Sequence, residues 1–246
     1  MIFAAGLGTR LRPLTDSIPK ALVPIGGHPV LEHVIQKLKH AGFSEVVINV
    51  HHFADQVIGF LHQRNNFGLT IHISDERGQL LDTGGGLLRA ERFFASSNES
   101  ILLHNVDILS NADLAALYRA HSQHGNAVTL LVSERKSGRY LFFDSDNNLL
   151  GWRNTKTGET RPSGLVPNDS MNAYAFSGIH VVSPCVFELM RQHGFGNRFP
   201  IMDFYLSLVG HAAMKGYIGN SLRLLDIGKA DTLAQAEDFI MRYPLG

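Results

Sequence analysis

Through the first half of this chain, strand-length apolar runs alternate with segments of helical period, and that alternation constrains the fold more than any other feature. Residues 1–5 read as a buried strand. Pro29 opens a helix at its first turn, Val30, Leu31, Val34, Ile35 and Leu38 share one face of it, and Gly42 ends it. A strand at 45–50, a helix at 54–64 and a strand at 69–74 come after it. A glycine-led helix at 83–94 and a strand at 101–104 are next, then a helix at 111–124 with Asn111 as its cap and a strand at 127–133. Strands and helices in this rhythm predict an α/β fold: a Rossmann-like, open, mostly parallel sheet with helices on both faces. The rhythm then changes. A hairpin is expected over 139–150 around Asp146-Asn147-Asn148, and a polar, mobile loop over 154–172. A strand at 173–182, helices at 184–193 and 200–209, a short strand at 222–225 and a closing helix at 229–242 complete the chain. There is no internal repeat and no hexapeptide array. The first strand is unusually short, which leads us to expect a few residues ahead of Met1.

Bulk composition narrows the chemistry. The chain is 44% hydrophobic and 18% charged, enough apolar material for a sizeable core. Its formal net charge is zero, so no basic field is available for nucleic acid, and an anionic ligand must be caught by local groups. Cys185 is the one cysteine, which excludes an intrachain disulfide and fits a cytoplasmic protein. No run is long and apolar enough for a membrane span, so neither a membrane nor a nucleic acid is expected as a partner.

The chemistry-bearing residues begin directly after the first strand. In Gly6-Leu7-Gly8-Thr9-Arg10-Leu11-Arg12 the glycines let backbone N–H groups curl around an anion, and the arginines add guanidinium forks suited to phosphate. Leu11 stands where a dinucleotide fingerprint needs a third glycine, and no Walker lysine comes after it, so neither a Rossmann dehydrogenase nor a P-loop NTPase fits. Lys20 sits between prolines that stiffen its loop. Asp107 lies just past the strand at 101–104 and Asp226 just past the strand at 222–225. Both carboxylates therefore fall at strand ends, where open α/β sheets bind ligands, and two such groups suit a Mg²⁺ bridging phosphates. Asp82-Thr83-Gly84-Gly85-Gly86 is a second glycine-rich turn, whose bare backbone could lie against a flat base. His51 and His52 are neighbours on a strand and point to opposite faces, which argues against a shared metal. Cys185 is expected to be packed rather than reactive.

The segment 4–24, with its GxGTRxxPLT core and the Pro19-Lys20 pair beyond it, resembles the signature of the sugar-phosphate nucleotidyltransferases. The glycine turn at 82–86, Asn105-Val106-Asp107 and Asp226-Ile227-Gly228 fall in the family's order. The resemblance implies one nucleotidyltransferase domain, with 1–132 handling the nucleotide and 133–246 the sugar phosphate. It implies that Ala5, Gly6, Gly8, Thr9, Asp82, Gly84 and Gly85 bind the nucleotide, and that Arg10, Lys20 and Asp107 are catalytic. Asp107 and Asp226 would hold Mg²⁺, the implied cofactor. The short length, the triple glycine and Phe176-Ser177-Gly178-Ile179 look most like the branch that couples UTP to N-acetylmuramate 1-phosphate. Two residues depart from the pattern: Val106 stands where the family usually has glycine, and Asp82 where that branch usually has glutamate.

The acceptor sugar 1-phosphate is expected to be held by residues beyond Asp107 in the chain. Arg139 is the candidate for an acidic group, and Ser177 and Gly178 would admit the sugar ring. Two other readings stand beside this one. The first is another specificity in the same family, such as guanylyl transfer to mannose 1-phosphate. The second is a non-catalytic sugar-nucleotide sensor, which would have no need of Arg10, Lys20, Asp107 and Asp226 together.

Overall fold

The computed structural model of the chain describes residues 1–219, 221–228 and 230–243. The fold is mixed α/β around a large, mostly open sheet. It divides into two compact units that interleave along the sequence. The first comprises Met1–Leu81, His104–Ala115 and Leu222–Gly246, and the second Asp82–Leu103 and Ala116–Ser221. Among the described residues no helix is long and apolar enough to cross a membrane.

In the first unit the strands Ile2–Phe3, Glu45–Val50 and Thr70–Asp75 run parallel, in register Ile2 to Ile48 and Ile48 to Ile73, with His104 and Asn105 on the other side of Ile2 and Phe3. Val46 to Val50 are buried without alternation, as a parallel strand covered on both faces requires. The Val30–His40 helix buries the expected stripe from Val30 to Leu38, and the Ala54–Gln63 helix buries Ala54, Val57 and Leu61. Residues 6–28, expected as loop, hold three short 3₁₀ turns and one arm of a small hairpin, Pro24–Ile25 against His28–Pro29.

A second antiparallel ladder pairs Ile108–Ser110 with Leu224–Asp226. The first of these strands gives no signal in the sequence, because three residues carry too little periodicity to register. The ladder also engages Asn111, expected at the start of the next helix. Its N–H donates to Arg223 O at 3.2 Å and its side-chain oxygen accepts from Arg223 N at 2.7 Å, prolonging the ladder, and the helix begins only at Leu114. The closing helix is Ala230–Arg242, and Lys229, expected to open it, lies outside the described residues.

In the second unit Val128–Ser133 lies between Asn172–Val182, antiparallel, and Met214–Ile218, parallel. Asn172–Val182 continues onto Arg139–Phe143, which forms the expected hairpin with Leu149–Asn154. Asn147 takes the left-handed turn conformation at φ 63°, and Asp144 Oδ1 accepts the N–H groups of Asp146 and Asn148. Met214–Ile218 is a strand that the sequence does not announce, since Lys215, Gly216 and Tyr217 break its apolar run. The 154–172 segment is not wholly loop either. Thr160–Arg161 adds a strand to Leu149–Asn154, and the Arg161 guanidinium binds Glu159 and Asp203 and lies 5.6 Å over the Trp152 ring. Cys185 opens the Cys185–Gln192 helix and is exposed rather than packed, with partial desolvation raising its thiol above the ordinary value. A buried polar cluster braces this unit: His121 bridges Thr129 Oγ1 at 2.9 Å and Ser183 Oγ at 3.0 Å, and Ser183 donates to Asn126 O.

Candidate active site

The signature loop leaves the first strand under tight backbone control. Asn49 Oδ1 accepts Ala4 N at 2.7 Å and Ala5 N at 3.3 Å. Gly6 is exposed, and a Cβ there would meet nothing within 4 Å, so the loop's outer side is open. Gly8 turns at φ 65°. A Cβ on it would stand 2.9 Å from Thr15 Cγ2 and 3.1 Å from Lys20 Cβ, so only glycine lets the loop fold down onto Lys20. Thr15 Oγ1 and Leu11 N both donate to Gly8 O at 2.8 Å and lock that turn. Thr9 and Arg10 begin a 3₁₀ turn, and both are exposed.

Four charged residues of the first unit gather around the short ladder. Lys20, only 9% exposed, forms an ion pair with Asp107 Oδ2. Asp107 O accepts Ile227 N at 3.0 Å, and Asp226 sits opposite Ile108 in register, so the ladder joins two carboxylates that are far apart in sequence. Asp226 Oδ1 accepts Gly228 N at 2.8 Å. A Cβ on Gly228 would stand 2.8 Å from both Arg10 Nη2 and Asp226 Oδ1, which puts the Arg10 guanidinium beside Asp226. Among the described residues each carboxylate retains a second oxygen. Two hard oxygen donors with room for water and phosphate are what Mg²⁺ takes, so the donor set fits that ion. Val106 is buried, and its N–H donates to Phe3 O, so its side chain belongs to the core rather than to the loop. His51 Nδ1 bonds Glu76 O at 2.6 Å and the His52 ring lies on Phe53. Among the described residues no three His, Cys, Asp or Glu side chains are arranged to hold a metal ion.

The remaining expected site residues lie in the second unit. Asp82, at φ 58°, pairs with Arg198 at 3.2 Å. Gly84 and Gly85 are buried in the first turn of the Asp82–Ala90 helix, and both N–H groups donate to Phe199 O. A Cβ on Gly84 would collide with the Phe199 ring, so this glycine admits a protein aromatic. Arg139 lines a cavity of about 490 Å³ together with Arg135, Trp152, Arg161, Phe176 and Asp203. Ser177 is buried and its hydroxyl bonds to the Ile179 backbone, while Gly178, at φ 82°, forms the bulge in that strand. Of this turn it is Phe176 that lines the cavity.

Several residues that organise these groups are not singled out by the sequence. Asn49 and Glu76, 2% and 1% exposed, are bonded to each other at 2.7 Å. The available signal is a lone amide inside the apolar strand EVVINV, where a buried polar side chain must find partners. Arg198 and Phe199 give no local signal, since only the tertiary fold brings them to the glycine turn.

Residues 1–144, more than half of the chain, match the family model described as nucleotidyl transferase. The chain belongs to the nucleotidyl transferase family. Its activity is that of a sugar-1-phosphate nucleotidyltransferase. N-acetylmuramate alpha-1-phosphate uridylyltransferase of Caulobacter vibrioides is 33% identical to this nucleotidyltransferase over 189 residues, 75% of the chain and 74% of that protein. Mannose-1-phosphate guanyltransferase of Pichia angusta is also 33% identical, over 77% of the chain, and the chain spans half the length of that relative. A Bacillus anthracis protein described as a glucose-1-phosphate thymidylyltransferase, solved with sucrose, superimposes with a TM-score of 0.80 over 97% of this chain and 93% of its own. At 19% identity that likeness speaks for the fold alone.

Proposed function

We propose that this enzyme couples UTP to N-acetylmuramate 1-phosphate, or a closely similar sugar 1-phosphate, releasing pyrophosphate in a Mg²⁺-dependent reaction in the cytoplasm. The observation that carries the reading is the Ile108–Ser110 and Leu224–Asp226 ladder, which joins Asp107 to Asp226 with Lys20 on the first and Arg10 beside the second. A Mg²⁺ held by the two carboxylates would neutralise charge on the triphosphate oxygens. The loop from Gly6 to Arg10 binds the triphosphate through backbone N–H groups and a guanidinium. An oxygen of the sugar 1-phosphate attacks the α-phosphorus, the bond to the bridging oxygen breaks, and pyrophosphate leaves with that electron pair. The attacking oxygen is already anionic near neutral pH, so no general base is required, and the chain's residues act by positioning and charge. Lys20, held by Asp107, neutralises charge that builds at the α-phosphoryl group. In this reading Gly84 and Gly85 bind the base. The arginine-lined cavity in the second unit takes the sugar, with Arg139 toward an acidic substituent.

A second reading, guanylyl transfer to mannose 1-phosphate, is favoured by the equal identity of the Pichia angusta relative. Pyrophosphate release from four triphosphates, each paired with N-acetylmuramate, glucose and mannose 1-phosphates, separates the two. The proposal expects the highest kcat/KM with UTP and the muramate. A clear preference for GTP and mannose 1-phosphate would replace it with the second reading.

A further inference from the structure

Between the signature loop and the segment that leads to the second glycine turn runs a short buried chain of hydrogen bonds, all of it within the first unit. Ala4 and Ala5 donate their N–H groups to Asn49 Oδ1, Asn49 Nδ2 donates to Glu76 Oε1 at 2.7 Å, and Leu81 N donates to Glu76 Oε2 at 3.2 Å. The backbone of Glu76 is itself fixed, its N–H on Val50 O at 2.8 Å and its carbonyl accepting Gln79 N at 3.0 Å. Ala5 immediately precedes Gly6, and Leu81 immediately precedes Asp82.

The polarity of this chain is unusual and informative. Both of its ends are backbone donors. An amide side chain accepts at one end and donates at the other, so two amides in series would leave a donor facing a donor. The ends can both be satisfied only if one member accepts at both of its oxygens, which a carboxylate does. Asn49 with Glu76 meets that requirement, and the two N–H groups on Asn49 fix which side of its amide is oxygen. Both side chains are fully enclosed, where an unmet donor is costly.

We propose that Asn49 and Glu76 are positioning residues for nucleotide binding: the relay holds the backbone of Ala4 and Ala5, and with it the exit geometry of the Gly6–Arg10 loop, in register with Leu81. This rests on the reading of that loop as the triphosphate cradle. It also engages the Ala5 N–H at 3.3 Å.

The polarity rule supplies a test that a merely structural role would not satisfy. Glu76→Gln leaves two amides in series and one unmet donor. Asn49→Asp sets two carboxylates against each other. The double variant carrying both changes reverses the middle bond and satisfies every group again, with the charge moved to position 49. Steady-state pyrophosphate release would be measured with UTP and GTP as varied substrates at fixed N-acetylmuramate 1-phosphate, then with the sugar phosphate varied, alongside thermal unfolding. For the triphosphate the wild type supports better, Glu76→Gln is expected to raise KM by about fivefold or more, the cost of one unmet buried donor. Asn49→Asp is expected to raise it further, and in both the sugar-phosphate KM stays within about twofold, below the effect of one hydrogen bond. The double variant should recover to near the wild-type triphosphate KM. A double variant no better than the worse single one, or single variants that change both Michaelis constants equally, would overturn the relay. Wild-type turnover in the same assay keeps that outcome distinct from a failure of the nucleotidyltransfer reading itself.

Discussion

Replacing Gly228 by alanine tests the site's geometry with one methyl group. The added Cβ would stand 2.8 Å from Arg10 Nη2, 2.8 Å from Asp226 Oδ1 and 3.4 Å from Arg10 Cζ. Carbon to nitrogen or oxygen contacts settle near about 3.5 Å, so the two polar groups must retreat by roughly 0.7 Å between them and the new methyl. Asp226 has little freedom to do so, because its Oδ1 is held by Gly228 N at 2.8 Å. Arg10 is exposed, long and flexible, and it yields. Gly228 is buried and Asp226 does not yield as Arg10 does, so a folding cost of about 1 to 3 kcal/mol is expected, as for overpacking. The catalytic cost is larger, because a displacement near 1 Å at a reacting centre is worth up to about a hundredfold. We expect kcat/KM for pyrophosphate release to fall between about tenfold and a hundredfold, or about 1.4 to 2.7 kcal/mol, in a variant that still folds. In an Arg10→Ala background the same substitution should add little, since the group it displaces is gone. Wild-type kcat/KM in folded Gly228→Ala, or full additivity with Arg10→Ala, would refute the arrangement.

The same geometry carries further expectations. Lys20→Ala should lower kcat far more than it raises the triphosphate KM, because the charge on Lys20 matters most as the α-phosphorus is attacked; a pure KM effect would remove that role. Gly84→Ala forces a methyl into the Phe199 ring, and overpacking of that kind costs about 2 kcal/mol, which differential scanning calorimetry would read as a Tm lower by roughly 4 to 8 °C. Burial pulls the His104 and His121 imidazoles down to about 4. The unfolded chain protonates them below about pH 6.5 and the folded chain not until about pH 4, so their contribution is complete above pH 6.5 and is lost as pH falls through that window. Each is worth at most on the order of 3 kcal/mol, and chemical denaturation of His121→Gln should show a shallower acid slope than wild type.

The legible parts of this chain are those with long or stiff local signals. The Glu45–Val50 strand and the Val30–His40 helix declare themselves by unbroken apolar burial and by a clean apolar stripe. Asp107 and Asp226 are visible as carboxylates after strands, but the ladder that joins them is not. Ile108–Ser110 is three residues long, and Leu224–Asp226 begins two residues later than its apolar run suggests. The Thr160–Arg161 strand is hidden because its order comes from side chains, Arg161 on Asp203, Glu159 and Trp152, and not from apolar period. Gly84 reads in the sequence as room for a ligand, whereas Phe199, distant along the chain, occupies that side. Asn49 leaves a trace as a lone amide in an apolar strand, but its role is set by Glu76, which only the fold brings to it.

Metal-dependent nucleotidyl transfer at the Asp107–Asp226 pair is tested by pyrophosphate release from UTP and a sugar 1-phosphate, with and without Mg²⁺, in wild type and in Asp107→Asn and Asp226→Asn. Wild-type turnover should vanish on chelation and return with Mg²⁺, and each variant should lose at least about a hundredfold with the fold intact. Near-normal, magnesium-dependent turnover in either folded variant would contradict it.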